Sequence, residues 1–189
     1  MMLDLEKVSR DRQAVLEQAV HFFKAMPSVV GVFLVGSLAN HTEDAYSDID
    51  LRVIGGANQF NDLISNRVAY PKNFGVLLFN EITPVSPRVC VSHFEPFIKL
   101  DVLYLRPQDL EPSPIYRSAI RVFHDPQNLI QRLLDASRQL QPMLHGEAYN
   151  HMFNKIFAYA HEIYRRMMRH ETIYAQSLLM TLKGFAAAT

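Results

Sequence analysis

The hydrophobic positions of this chain change period as it proceeds. Val15, Leu16, Ala19, Val20, Phe22, Phe23 and Met26 recur at helical spacing, with Ser9 placed to cap them and Pro27 just past their end. "VVGVFLV", Val29 to Val35, is then a short β-branched run ended by Gly36, and it predicts a buried strand. "IDLRVI" predicts a second strand, closed by Gly55-Gly56. "GVLLFN" and "RVCVSHF" are weaker strand patterns separated by the loop "TPVSPR". "FIKLDVLYL", Phe97 to Leu105, is a strong one, terminated by Arg106-Pro107.

The second half reads differently. After the proline-rich connector "PQDLEPSPIY", the stretch "RVFHDPQNLIQRLLDASRQLQP" predicts a helix. Asp125 would cap it and Pro126 occupy its first turn, with Leu129, Ile130, Leu133, Leu134 and Leu140 on its apolar face. From Glu147 the pattern is wholly helical. One stripe includes Met152, Phe153, Ile156, Phe157, Ala160, Ile163, Tyr164 and Met167, and a second helix runs from about Glu171 to Phe185. The expected layout is therefore a mixed α/β region over 1–125 followed by a helical region over 126–189. The last helix has an apolar face with no further helix to cover it, so either a second copy of the chain covers it, making a homodimer, or the chain is shorter than its relatives.

Composition narrows the partners. The 189 residues carry 19 Lys+Arg and 19 Asp+Glu, so the chain lacks the basic excess of a general nucleic-acid binder. Cys90, the single cysteine, cannot form an intrachain disulfide, which fits a reducing cytoplasm; its place between Val89 and Val91 predicts a buried strand residue. "MMLDLEKVSRDRQ" has no uninterrupted apolar core and is not a signal peptide, and no window is apolar for long enough to span a bilayer. The expectation is a soluble, cytoplasmic protein.

The chemistry concentrates in "VGSLANHTEDAYSDIDLRVI". Asp48 and Asp50 are two residues apart on a strand, so both carboxylates leave one face, roughly 6.5 Å apart along the chain. Like charges so placed repel, and a cation is the natural compensation. Hard oxygens on a rigid face suit Mg²⁺, which takes one or two carboxylates and leaves other positions to water and phosphate. Two such ions can clamp an in-line displacement at phosphorus. A third carboxylate is available from Asp101, unexpected within "IKLDVLYL". Gly36 allows phosphate close to the backbone, and the Ser37 hydroxyl with nearby N–H groups can hold the terminal phosphates of a nucleotide. If "SLANHT" opens a helix, its N-terminus adds partial positive charge.

The Gly-Ser, ten-residue spacer, Asp-x-Asp pattern of "GSLANHTEDAYSDID" resembles that of the nucleotidyltransferase superfamily to which DNA polymerase β belongs. The closer resemblance is to bacterial antibiotic nucleotidyltransferases, such as those acting on aminoglycosides and lincosamides. "KLDVLYLRPQDLEPSP" resembles the family's third-carboxylate strand and its exit, "RVFHDPQNLIQRLL" the segment after it, and "YRRMMRHETIYAQSLLMTL" the Arg-Gly-Glu helix start of the C-terminal helical domain.

The resemblance implies an α/β (α+β) fold, a mixed-sheet nucleotidyltransferase core followed by a short helical domain. It implies Gly36 and Ser37 as triphosphate contacts, Asp48, Asp50 and Asp101 as catalytic metal ligands, and Glu171 as general base on the acceptor hydroxyl. His170 stands where the family has glycine. The implied reaction moves a nucleoside monophosphate, AMP from ATP, to a hydroxyl of a small molecule such as an antibiotic, with Mg²⁺ and release of pyrophosphate. Two alternatives stand beside it: adenylylation of a partner protein, as in toxin–antitoxin modules, and a non-catalytic nucleotide-binding module. Arg52 shares the face of Asp48 and Asp50 and is expected to pair with a strand neighbour. Arg165, Arg166 and Arg169 read as a solvated helix face.

Overall fold

The computed structural model describes residues 4–81, 86–117, 119–140 and 146–187. The chain divides into two compact units, Met1–Leu140 and Gln141–Thr189.

The first unit opens with helix α1 (Leu5–Lys24). It starts earlier than Ser9 because Asp4 is the cap: its carboxylate accepts the Lys7 N–H at 3.0 Å. Strand β1 (Val29–Val35) matches its predicted span. A single helical turn, α2 (Ser37–Asn40), leads to β2 (Ile49–Gly55), and α3 (Phe60–Ser65) follows. Strands β3 (Leu77–Glu81), β4 (Val89–Phe94) and β5 (Ile98–Leu105) come next, then two short 3-10 turns in the proline-rich connector. "RVFH" is a strand, β6 (Arg121–His124), and not the start of a helix. The helix, α4, spans Leu129–Arg138. Asp125 does cap it, from outside, accepting the N–H groups of Leu129, Ile130 and Gln131 at 2.7, 3.0 and 3.0 Å.

The six strands form one mixed sheet in the order β3-β4-β5-β2-β1-β6. Among the described residues β2 and β5 pair parallel and the other four pairs are antiparallel. Alternation along the strands sends residues to two faces. Ile49, Leu51, Val53, Leu100, Val102 and Tyr104 go to one face, where they meet Leu16, Ala19 and Phe23 of α1 in the larger core. Cys90 joins that core as predicted, and burial pushes its thiol up. On the other face Phe33, Val35, Ile54 and Leu105 pack with Ile130, Leu133 and Leu134 of α4. Helix α4 therefore belongs to the first unit, and the division falls after Leu140 where the sequence suggested 125. Its apolar stripe is matched by the sheet.

The second unit is a helical hairpin of α5 (Gly146–Met168) and α6 (Thr172–Ala187), each within a few residues of expectation. Ala175 is buried against α5, while Phe157, Tyr164, Met167, Ile173 and Met180 are exposed. Among the described residues no helix is long and apolar enough to cross a membrane.

Candidate functional site

The β1–α2–β2 crossing forms the site from backbone upward. Because β1 and β2 are antiparallel, the end of β1 lies beside the start of β2, and Val35 pairs with Asp50. The chain then turns at Gly36 with φ +78° and ψ −161°, a region that side chains other than hydrogen disfavour strongly. A Cβ at Gly36 would come within 2.5 Å of Asp50 Oδ2. Glycine is thus needed twice over, for the turn and for the approach of this carboxylate. Ser37 follows, half-buried at the start of α2. That helix is one turn long, too short to supply the dipole the sequence suggested.

Asp48 enters the site from the loop before β2, and α1 holds that loop down. The guanidinium of Arg12, only 6% exposed, donates to the carbonyls of Asp44 at 2.6 Å and Ser47 at 3.0 Å. Asp44 in turn accepts from Tyr46 N–H and the Ser47 hydroxyl. The acid at 48 is therefore anchored through an arginine in the first helix, a contact no local pattern announces.

Asp101 arrives on the neighbouring strand. In the parallel β2–β5 register Asp50 pairs with Asp101, so their side chains leave the same face at the same level. All three acids are half-buried, with side chains 39%, 29% and 24% exposed at Asp48, Asp50 and Asp101. Lys99, two residues before Asp101 and on its face, reaches between two of them. Its Nζ donates to Asp101 Oδ2 at 2.9 Å and to Asp48 Oδ2 at 3.1 Å. Arg52 stands 4.0 Å from Asp50 Oδ1 and donates to the Leu51 carbonyl, which matches its expected pairing with a strand neighbour.

The electrostatics follow from this crowding. Burial, then the Asp48 charge, raises the Asp50 carboxyl above its ordinary value; Asp101 adds to the rise, and Arg52 and Lys99 oppose it. Burial alone would lower the Lys99 ammonium, but its hydrogen bonds to Asp101 and Asp48 outweigh that and hold it above its ordinary value. Asp101 Oδ1 is buried without a hydrogen-bond partner.

These donors suit a hard divalent cation in kind: carboxylate oxygens on a rigid sheet face, one of them unpaired, beside a bare backbone turn. As the side chains stand, no group of three or more His, Cys, Asp or Glu among the described residues converges to hold a metal ion. Asp48 and Asp101 share the Lys99 ammonium instead. Lys99 escaped the sequence reading, although the same two-residue rule that linked Asp48 to Asp50 links it to Asp101.

Glu171 lies in the second unit, in the turn between α5 and α6. Its Oε2 accepts from Arg166 Nη1 at 2.6 Å, and Arg166 also donates to Glu162 Oε1 at 2.6 Å. Arg165 pairs with Glu162 as well, so these two arginines serve ion pairs along α5 and, through Arg166, with the turn that follows it. His170 adopts φ +61°, the left-handed conformation that glycine favours, and Glu171 N–H closes the turn on the Arg166 carbonyl at 2.9 Å. The turn expected of a glycine is kept by histidine.

No protein-family model matches the chain, and no curated protein matches it.

Proposed function

We propose that the chain is a cytoplasmic, metal-dependent nucleotidyltransferase that moves a nucleoside monophosphate, AMP from ATP, to a hydroxyl of a small molecule. The observation that carries the reading is the meeting of Asp50 with Asp101 across parallel strands, next to Asp48 and directly beside the Gly36-Ser37 turn.

Asp48, Asp50 and Asp101 would hold Mg²⁺, which supplies charge neutralisation for the triphosphate and the developing pyrophosphate. The chain's own groups do the rest. Gly36 leaves the backbone open to the phosphates and Ser37 offers its hydroxyl as a donor. The acceptor oxygen attacks the α-phosphorus, the bond from that phosphorus to the bridging oxygen breaks, and pyrophosphate departs. Glu171 is the residue proposed to take the acceptor's proton, with Arg166 orienting its carboxylate. Most of the rate would come from positioning and electrostatics, because phosphoryl chemistry asks little covalent help of the protein. Aminoglycosides and lincosamides are the acceptor class that the sequence resemblance favours.

The test is a screen of the purified chain with Mg²⁺ and each nucleoside triphosphate against hydroxylated small molecules, reading pyrophosphate release and adduct mass together. The expected result is a nucleotide adduct that is lost in Asp48→Asn and Asp50→Asn. Pyrophosphate release at the wild-type rate from both variants would refute the assignment.

A further inference from the structure

Three acids need a counter-charge when no divalent ion is bound, and the chain supplies one from its own strand. Lys99 projects from β5 on the acid face, is 38% exposed, and bridges the loop acid Asp48 to the strand acid Asp101 at 3.1 and 2.9 Å. It has no other hydrogen-bond partner among the described residues. Its cross-strand neighbour on β4, His93, is engaged instead by Glu81 and stacked on Phe79. Lys99 is therefore dedicated to the carboxylates, and it occupies one oxygen of each of two acids proposed as cation ligands.

We propose that Lys99 is a resident counter-cation: its ammonium holds Asp48 and Asp101 in place in the free protein and must leave them when a divalent ion enters. This rests on the reading of Asp48, Asp50 and Asp101 as cation ligands. A long, flexible side chain can do this because its ammonium moves about its four-carbon stem without disturbing the strand. The exchange leaves the acids with a counter-charge in both states and makes cation affinity lower than the carboxylates alone would give. Lys99 is a positioning residue in this account, acting through the acids.

The experiment is Mn²⁺ binding to the full-length chain without nucleotide, by calorimetry, with Asp101→Asn locating the site. Lys99→Met removes the competitor and is expected to tighten binding about tenfold, the scale of two partly exposed charge-assisted hydrogen bonds. Lys99→Arg restores a cation and should return affinity toward wild type. A second readout needs no variant: acetylation of Lys99 in the wild-type chain, followed by mass spectrometry against the other lysines, should rise on adding Mg²⁺. Mn²⁺ binding that Asp101→Asn abolishes but Lys99→Met leaves unchanged or weakens would overturn the role of Lys99 while sparing the carboxylate reading. Absence of Mn²⁺ binding in both wild type and Lys99→Met would overturn the two together. Unchanged Lys99 acetylation under Mg²⁺ saturation would also overturn the displacement.

Discussion

Replacing Asp50 by asparagine should stabilise the metal-free protein. The two side chains have the same shape, so the change removes charge and little else. Burial and the Asp48 charge weigh most against an ionised Asp50, and Asp101, paired with it across strands about 4.8 Å apart, adds to them. Two unit charges at that distance repel by roughly 3 kcal/mol at an effective dielectric of about 20. Lys99 on Asp101 and Arg52 on Asp50 return most of this, and both acids retain some solvent. A net gain of about 1 kcal/mol is expected for Asp50→Asn, a rise in Tm of roughly 3–5 °C for a unit of this size.

The sign also sets a pH dependence. The folded-state pKa of Asp50 is raised, so its contribution is fully favourable below the unfolded pKa of about 4 and is lost as pH climbs through the folded value. The advantage of Asp50→Asn should accordingly be absent near pH 3.5 and full at pH 7.5. Differential scanning calorimetry in chelator at the two pH values measures both. Mg²⁺ should raise the Tm of wild type more than that of the variant. A variant no more stable than wild type at pH 7.5 in chelator would refute the claim that the acids strain the free protein.

Gly36→Ala should destabilise by about 2 kcal/mol or more, since alanine must adopt a glycine-only conformation and its Cβ meets Asp50 Oδ2; urea unfolding reads the loss. Asp109 accepts two bonds from the Arg106 side chain at 2.8 and 3.0 Å and pairs with Arg88 at 2.9 Å, and the Arg106 bond leads the causes that hold its carboxyl well below the usual range. Its stabilisation is present above about pH 4 and lost as pH falls toward the folded value, so Asp109→Asn should cost about 2 kcal/mol at pH 7 and less at pH 2 by chemical denaturation. His170→Gly should stabilise the α5–α6 hairpin by about 1 kcal/mol, because glycine takes the left-handed turn without strain; thermal unfolding followed by circular dichroism measures it.

The strands that carry the acids were legible because local and global signals agree there. Val29–Val35 is β-branched, bounded by Pro27 and Gly36, and buried on both faces, so composition and punctuation mark the same span. Around Asp101, Leu100, Val102 and Tyr104 alternate inward and identify the acid as outward-facing. "RVFH" failed for the opposite reason. It is a four-residue edge strand with Arg121 and Val122 exposed, formed only because β1 offers it a partner, and Asp125-Pro126 beside it signals a helix start. The domain division was hidden in a similar way: periodicity announces that α4 has an apolar face but not which surface covers it. Asp48, Asp50 and Asp101 could be grouped from spacing, whereas the Arg12 anchor lies 32 and 35 residues from the carbonyls it holds.

Why the repelling acids stay together is decided by the other side of the same strands. Sliding β5 one residue along β2 would separate Asp101 from Asp50, but it would also turn every inward residue out to solvent. Leu100 and Val102 are fully buried, as are Ile49 and Leu51 facing them from β2. Each such side chain is worth roughly 1.5–3 kcal/mol of burial, so β5 alone would forfeit about 3–6 kcal/mol. That is as much as the roughly 3 kcal/mol of repulsion it would relieve, before any lost strand hydrogen bonds are counted. The register is therefore held by the core, and the charge has to be answered where it stands. On β5 the answer is two residues away: Lys99 shares the face of Asp101 because alternate residues of a strand do, and shares its level with Asp48 because β2 and β5 run parallel. One strand thus delivers an acid and its counter-ion to the same end of the sheet, while α4 covers the apolar part of that face.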